Sequence, residues 1–167
     1  MDGLPVTDGD DRLAELYDRC SQRLFRFALR VSGDDGEAKD LVHDAFVRAA
    51  GDLGRVPQQD EQAMAWLIRV VVNLSRDRHR RRVVRETFAR LLRPQHHDPR
   101  PALEAGASLR AAVATLPPRQ RAVIALHHLD GEPVAAIAAT LGLTRATVRW
   151  HLATARKRLA LLLKGIS

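Results

Sequence analysis

Cysteine, long apolar runs and strand-like alternation are nearly absent from this sequence, and each absence excludes a class of protein. The single cysteine, Cys20, excludes an internal disulfide, and its place in an apolar stripe predicts a buried thiol rather than a reactive one. No apolar run approaches the roughly 20 residues that are needed to span a bilayer. No segment alternates polar and apolar residues with a period of two, so no strand is predicted. The sequence therefore predicts an all-α fold.

Signals for secretion and for catalysis are also missing. Residues 1–12 (MDGLPVTDGDDR) are acidic and lack a hydrophobic signal core, so a soluble cytoplasmic protein is expected. Neither a nucleophile–base pair nor a glycine-rich phosphate loop is present. The histidine pairs at 96–97 and 127–128 leave a metal enzyme as an alternative, but adjacent histidines on a helix point apart. We expect no catalytic residue, no cofactor and no metal site.

Acidic residues are missing from one end of the chain, where the charge is strongly positive. The net charge is +7, and no Asp or Glu occurs from Arg145 to the C-terminus. A basic surface of this kind favours a polyanionic partner, because neutralised phosphates release counterions. Composition alone does not separate nucleic acid from an anionic membrane surface.

Residues 132–159 carry the pattern of a helix-turn-helix. Pro133 suits the first turn of a helix, Gly142 tolerates the left-handed conformation of a tight turn, and Thr144 is a favourable N-cap for the next helix. Apolar residues recur at helical spacing on both sides of the glycine, and the second helix is cationic on its other face. Such a helix fits the DNA major groove. A solvated surface helix, a membrane-surface helix and a partner-binding helix are the alternatives.

The N-terminal part of the chain predicts three amphipathic helices. The first starts at Asp11, the second comes after the turn at residues 32–35, and the third spans residues 60–82. The second helix presents acidic residues, including Asp40 and Asp44, on its exposed side. The third ends in a run of arginines. Such a run is usually a solvated face, but as the continuation of an amphipathic helix it favours phosphate contacts.

Three prolines within residues 94–101 break the helical periodicity and mark a domain boundary. A linker of this length reaches up to ~70 Å when extended, which equals roughly two turns of duplex DNA. Two small DNA-binding domains joined in this way can read two separated DNA elements. We predict a disordered tail at 1–10, a three-helix bundle at 11–83, a flexible linker at 84–106 and a four-helix domain at 107–167.

The order of these motifs resembles the sigma-70 superfamily in its minimal two-domain form, the extracytoplasmic-function (ECF) sigma factors. The resemblance covers nearly the whole chain, from Leu13 to Leu163. In the first domain it rests on residues 16–18 (LYD), 37–46 (EAKDLVHDAF), 65–69 (AWLIR) and 73–77 (NLSRD). In the second it rests on residues 116–121 (LPPRQR), 136–138 (AIA), 141–142 (LG), 147–149 (TVR) and 155–159 (ARKRL). Each motif alone is weak, and their order around the linker is specific.

The resemblance implies a promoter-specificity subunit of bacterial RNA polymerase, with region 2 in the first domain and region 4 in the second. Region 2 is expected to dock on the clamp helices of the largest core subunit through Asp40, Leu41 and Asp44. The alternative for the two acids is a plain solvated face. Region 2 is also expected to bind the melted, single-stranded −10 element. The residues implied there are Asn73, Arg76, Arg78 and Arg81.

Region 4 is expected to place its second helix in the duplex −35 element and to contact the flap of the second-largest core subunit. Arg149 is the best candidate for reading a base, because its guanidinium can grip guanine with two hydrogen bonds. Arg156 and Lys157 are expected on phosphates, and Trp150 is alternatively a half-buried packing residue. The full set of expected −35 contacts is Arg145, Thr147, Arg149, Trp150, Arg156 and Lys157.

Departures from the family pattern bear on the expected partners. Lys39 stands where the family usually has an acid and His43 where it commonly has glutamine, and either can alter the strength of core docking. Residues 73–82 lack the melting aromatics of housekeeping sigma factors, which fits the ECF type. Because no additional C-terminal domain is expected, a separate anti-sigma factor is the expected regulator.

A free-standing helix-turn-helix repressor is the competing interpretation. It explains residues 109–163 but leaves the acidic second helix and the arginine-ended third helix without a use. Dependence on core polymerase separates the two interpretations.

Overall fold

The computed structural model of the protein describes residues 8–92 and 105–164, which form seven α-helices and two short helical turns. No strand occurs among these residues, and the predicted all-α fold is confirmed. Most of the predicted N-terminal tail lies outside the described residues, as do the middle of the predicted linker (93–104) and residues 165–167.

Three helices form the N-terminal unit: α1 (Asp8–Ser32), α2 (Asp35–Gly51) and α3 (Asp60–Leu92), with a 3-10 turn at Leu53–Arg55. Each helix buries one apolar stripe in a common core, as its periodicity predicted. Cys20 lies in this core, as predicted. The largest fully buried side chains of the unit are Leu24, Val31, Leu41, Leu67 and Val71.

The turn between α1 and α2 is set by Gly33 and Asp34. Gly33 has a φ of +77°, a left-handed conformation that glycine adopts without a side-chain clash. Its N–H donates to the carbonyl of Leu29 at 2.8 Å and so closes α1. Asp34 caps α2, because its carboxylate accepts a hydrogen bond from the N–H of Glu37 at 2.7 Å. The two helices therefore pack side by side, and the outer face of α2 stays open.

Four helices form the C-terminal unit: α4 (Ala105–Ala114), α5 (Pro118–Ile124), α6 (Val134–Leu141) and α7 (Arg145–Lys164). A π-helical turn at Ala125–Leu129 continues α5. The proline that begins α5 has no N–H, and the first turn of a helix requires none there. The core of this unit is made by Ala112, Leu116, Val123, Ile137, Leu141, Val148 and Leu152.

Three helix boundaries differ from the predicted ones. α1 begins inside the predicted tail of residues 1–10, α3 continues past Arg82, and α4 begins inside the predicted linker. The added length of α3 is exposed from Arg80 to Ala89, and the apolar side chains that recur there at helical spacing, Val83, Val84 and Phe88, are not buried. Local contacts such as the i,i+4 ion pair between Arg82 and Glu86 (3.9 Å) support it instead.

The two units pack against each other. α5 lies against α1 and α3, and α6 lies against α3. Apolar side chains of both units, among them Val71, Val123 and Ile137, belong to one continuous buried cluster. The sequence predicts two linked domains, and the structure adds that the domains are in contact. We refer to this contact as the closed arrangement.

The turn between α6 and α7 generates a first prediction, at Gly142. This residue has a φ of +64°, and a Cβ there would approach only the Arg69 guanidinium, no closer than 3.7 Å. Gly142→Ala should therefore cost backbone strain rather than a clash, about 1–2 kcal/mol, and lower Tm by about 2–8 °C. Thermal unfolding followed by circular dichroism measures the change.

The matched control is Gly51→Ala, at the C-terminal end of α2. No atom lies within 4 Å of a Cβ built there, and the backbone is helical. Alanine should be neutral or stabilise the helix by up to about 1 kcal/mol. Equal loss of stability in both variants would contradict the conformational argument at Gly142.

Candidate nucleic-acid and polymerase interfaces

The helix-turn-helix predicted at residues 132–159 is confirmed by α6, α7 and the turn between them. Gly142 ends α6 in the left-handed conformation, and the N–H of Leu143 donates to the carbonyl of Ala138 at 2.9 Å. Thr144 caps α7, because its hydroxyl accepts a hydrogen bond from the N–H of Thr147 at 3.1 Å. The turn thus fixes α7 across α6 with its outer face free.

The cationic residues of α7 are arranged around a buried seam. A helix turns about 100° per residue, so Arg145, Arg149 and Arg156 lie within about 40° of one another along one flank. Trp150 and Lys157 point most directly away from the core, and the indole is 60% exposed. All five are exposed and lie outside the seam. The seam consists of Val148, Leu152 and Ala155.

Thr147, also predicted to contact DNA, lies apart from these residues. It is about 160° around the helix from Arg149, on the opposite flank. Its hydroxyl lies 2.8 Å from that of Thr144 and is half-buried, so it belongs to the N-cap of α7. In this arrangement Thr147 positions the start of the helix.

Three histidines lie close to arginines in this unit or at its edge. Burial lowers the pKa of His151, which packs edge-to-face against Trp150, and the charge of Arg119 lowers it further. Burial and then the charge of Arg156 lower the pKa of His128, whose Nε2 is 3.3 Å from Arg156 Nη2. The pKa of His79 on α3 is lowered by burial first and by nearby arginines second. These imidazoles therefore add little positive charge at neutral pH.

The acidic face of α2 carries two of the three predicted docking residues. Asp40 is exposed and Asp44 half-buried, about 40° apart around the helix. Leu41, the third, is 0% exposed and packs in the core of the N-terminal unit. It cannot contact a partner there, and its predicted docking role is corrected to packing. The apolar periodicity of α2 in the sequence already predicts Leu41 on the buried stripe, and a residue on that stripe does not lie on the surface.

A docking candidate that the motifs did not single out is Val47. It lies on the same face of α2 as Asp40, Asp44 and His43, and it is 55% exposed. The signal was present, because Val47 is seven residues beyond Asp40 and falls outside the apolar stripe. Val47 therefore adds an exposed apolar side chain to the acidic face of α2. Lys39 is paired with Asp35 at 2.6 Å, and this pairing raises the pKa of the lysine.

The four residues predicted for −10 binding do not share one face of α3. Asn73 and Arg76 lie on one side, where Arg76 Nη1 donates to Asn73 Oδ1 at 3.5 Å. Arg78 points about 160° away from Arg76, towards α2, and Arg81 lies exposed near Arg78. α5 packs against α3, and the pKa of Arg119 on α5 is lowered by burial first and by the charge of Arg76 second. In the closed arrangement the four residues therefore form two pairs on different sides of α3, Asn73 with Arg76 and Arg78 with Arg81.

Two predicted sites meet at the Asp44–Arg78 ion pair. Arg78 Nη2 on α3 donates to Asp44 Oδ2 on α2 at 2.7 Å. One residue was predicted to contact polymerase and the other to contact DNA. In the structure the two side chains are bound to each other.

Two arginines join the units by capping helices reciprocally. Arg69 on α3 donates from Nη2 to the carbonyl of Ala139 (2.8 Å) and from Nε to that of Thr140 (2.9 Å), in the last turn of α6. In the other direction, Arg121 on α5 donates from Nη1 to the carbonyl of Ser32, the last residue of α1, at 3.0 Å. Cations at helix C-termini also interact favourably with the helix dipole. An arginine of each unit thus caps the C-terminal end of a helix in the other unit.

The capping arginine of α5 is deeply buried and only partly satisfied. Arg121 is 6% exposed, and burial lowers its pKa. Its Nε and the Oε1 of the buried neighbour Gln120 have no hydrogen-bond partner. A buried polar atom without a partner is costly. The contact between the units therefore contains polar groups that water would satisfy if the units separated.

A cleft of ≈ 350 Å³ opens beside this contact. Arg23, Arg26 and Arg30 of α1 line one wall, and Arg30 forms an ion pair with Asp130 of the C-terminal unit. Arg23 is paired with Glu61 at 2.9 Å. The floor is apolar and includes Phe27 and Ile137. The charges of the cleft are largely balanced within the protein.

Metal-ligating side chains are scattered rather than clustered. Within residues 8–92 and 105–164, no group of three or more of them lies close enough together to hold an ion. In the same ranges, no helix combines the length and the apolar character needed to cross a bilayer.

Known proteins match this chain in two parts that correspond to the two units. The family model described as Sigma-70 region 2 matches residues 16–85, and the model Sigma-70, region 4 matches residues 106–159. The ECF RNA polymerase sigma factor SigM of Mycobacterium tuberculosis is 32% identical over 155 residues, which cover 92% of this chain and 79% of that protein. The two units are thus those of a sigma-70 protein.

A second relative is the ECF RNA polymerase sigma factor SigE of Mycolicibacterium smegmatis, 32% identical over 158 residues. The match covers 87% of this chain but only 59% of that longer protein. The sigma factor RpoE from Bartonella quintana, solved in complex with the anti-sigma factor NepR, has the same fold. It gives a TM-score of 0.62 at 24% identity, with 94% of this chain and 97% of that chain covered. The chain belongs to the ECF RNA polymerase sigma factor family.

The reciprocal caps predict how the closed arrangement can be opened. A compact chain of 167 residues has a radius of gyration of about 15 Å. The double variant Arg69→Ala/Arg121→Ala removes both caps, so the radius should rise above about 15 Å while helix content stays constant. Small-angle scattering and circular dichroism on the full chain measure the two quantities.

The control removes two exposed arginines that form no hydrogen bond or ion pair with another described residue, Arg81→Ala/Arg158→Ala. Its radius of gyration should equal that of the unmodified chain. If both double variants give the unmodified radius, the caps do not hold the units together.

Proposed function

We propose that this chain is a promoter-specificity subunit of bacterial RNA polymerase that docks on the core enzyme and reads the −35 and −10 elements. One observation carries the proposal. A single chain combines region 2 and region 4 with an α7 whose outer face is cationic and unobstructed. Neither a repressor nor an enzyme requires that combination.

α7 is the proposed −35 reader. Its exposed arginine flank can track a phosphate backbone, and its N-terminal part can enter the major groove. Arg149 lies in that part and has no bond to another described residue, so its guanidinium is available to a guanine edge. Arg156, the last arginine of that flank, is proposed to contact a phosphate, as is Lys157. Trp150 is exposed on the same outer surface and is proposed beside them.

α2 and α3 divide the work of region 2 in the proposal. The face of α2 with Asp40, Asp44 and Val47 docks on the clamp helices of the largest core subunit. α3 holds the single-stranded −10 element through the sides that carry Asn73 and Arg81. An electrostatic groove of this kind binds single strands mainly through their phosphates.

The closed arrangement is too small to read both elements at once. Its longest helix, the 33-residue α3, is about 50 Å long, and the C-terminal unit packs beside it. Two turns of duplex between the elements measure ~70 Å. The units must therefore separate before α7 and α3 engage the same promoter, and the core enzyme is the proposed agent of separation. The flap of its second-largest subunit would hold region 4.

Regulation by an anti-sigma factor is part of the same proposal, as is a cytoplasmic location beside the polymerase. The cleft with Arg26 and Phe27 is the proposed anti-sigma surface, because it exists only while the units are in contact. A partner bound there would favour the closed arrangement over the separated one.

Transcription in vitro with purified bacterial core polymerase and a genomic fragment library of the source organism tests the function. Discrete transcripts should require this protein. Arg149→Ala should weaken holoenzyme binding to the promoter so found by about 5- to 150-fold, the range for loss of one bidentate base contact. Asp40→Ala should reduce assembly with core, and added core should restore the transcripts.

The matched control is Arg158→Ala, about 180° around α7 from Arg149. It removes the same charge from the same helix, and the promoter preference should persist. A chain that binds duplex fragments tightly alone, with no initiation when core is added, would support the helix-turn-helix repressor instead.

A further inference from the structure

The Asp44–Arg78 ion pair joins two surfaces that the proposed function assigns to different partners. α2 is the helix proposed to face the core enzyme, and α3 is the helix proposed to face the −10 strand. The bond between Arg78 Nη2 and Asp44 Oδ2 is 2.7 Å long and crosses from one helix to the other. Neither residue forms an ion pair with any other described residue.

Both members of the pair are accessible to outside partners. The Asp44 side chain is 45% exposed and that of Arg78 29% exposed. The carboxylate keeps a second oxygen free, and the guanidinium keeps further N–H donors free. An incoming cation can therefore approach Asp44, and a phosphate can approach Arg78, before the pair breaks.

The pair is weak enough to be exchanged. A partly exposed ion pair with one short contact changes an equilibrium by about 1.4- to 5-fold. A hydrogen-bonded charge pair formed in a drier interface is stronger than an exposed one. When both partners are present, a phosphate can replace Asp44 at Arg78, and a cation of the core enzyme can replace Arg78 at Asp44. This exchange is therefore favourable.

We propose that the Asp44–Arg78 pair couples core docking to DNA binding: a cation of the core enzyme that engages Asp44 releases Arg78 to bind a DNA phosphate. Asp44 is in this respect a positioning residue for Arg78. The coupling is reciprocal, because a phosphate on Arg78 equally frees Asp44 for the core enzyme. The proposal rests on the proposed docking and DNA-binding faces, and it adds an interaction between them.

A double-mutant cycle on the full chain tests the coupling with a labelled single-stranded oligonucleotide of mixed sequence. Asp44→Asn should raise the affinity of the free chain for this probe by about two- to fivefold. It should also steepen the salt dependence by about 0.7, the slope of one added single-strand phosphate contact. In an Arg78→Gln background Asp44→Asn should have no such effect.

The matched control is Asp40→Asn. Asp40 lies one turn from Asp44 on the same face and forms no ion pair with a described residue, so its removal changes only the general charge. Its effect on the probe should be smaller than that of Asp44→Asn and should not steepen the salt dependence. An Asp44→Asn effect that equals this control, or that persists in Arg78→Gln, overturns the proposal.

Binding to purified core polymerase gives the second readout, which decides if the free chain binds the probe too weakly to measure. Arg78→Gln should strengthen core binding by about two- to fivefold, and the gain should vanish in Asp44→Asn. No gain overturns the coupling. Failure of the unmodified chain to bind core or to initiate transcription would instead refute the proposed function, so the two failures are distinguishable.

Discussion

The arrangement of this protein depends on where its arginines place their N–H donors. Each guanidinium has five donors and no acceptor, so it binds carbonyls or carboxylates of the protein where these are within reach and otherwise remains available to an anion. Arg69 and Arg121 use helix-terminal carbonyls of the opposite unit, and Arg78 uses Asp44. Arg145 and Arg149 use no described protein acceptor. One residue type thus holds the protein closed and provides the surface that we propose for nucleic acid.

The contact between the units combines apolar packing that favours closure with a polar part that opposes it. Its apolar part removes side chains such as Val123 and Ile137 from water, which favours closure. Its polar part opposes closure, since Arg121 Nε lacks a partner that water would supply on opening. A contact with unsatisfied polar atoms can be exchanged for another surface more easily than a purely apolar core. That property suits the proposed function, in which the two units separate on DNA.

Local rules made part of this structure predictable from the sequence, and tertiary contacts account for the part that was not. Glycine at 142, threonine at 144 and the apolar periods determined the helix-turn-helix and the core stripes, because turn chemistry and burial are both local signals. The extension of α3 was not predicted, because its apolar residues Val83, Val84 and Phe88 lie among arginines and are not buried. The helical rotation of 100° per residue determines how Asn73, Arg76, Arg78 and Arg81 are distributed around α3. Which side of α3 faces α5 is determined instead by the packing of the two units. The reciprocal caps join residues 70 and 89 positions apart, a separation that no periodicity reports.

Two contacts involve α3 in the closed arrangement. α5 packs against it, and Asp44 holds Arg78. A chain with a net charge of +7 is attracted to any nucleic acid, since phosphate neutralisation is independent of sequence. Under the proposed function, these contacts would lower this non-specific affinity without removing the charge. Binding of the core enzyme would then make the arginines of α3 available at a promoter.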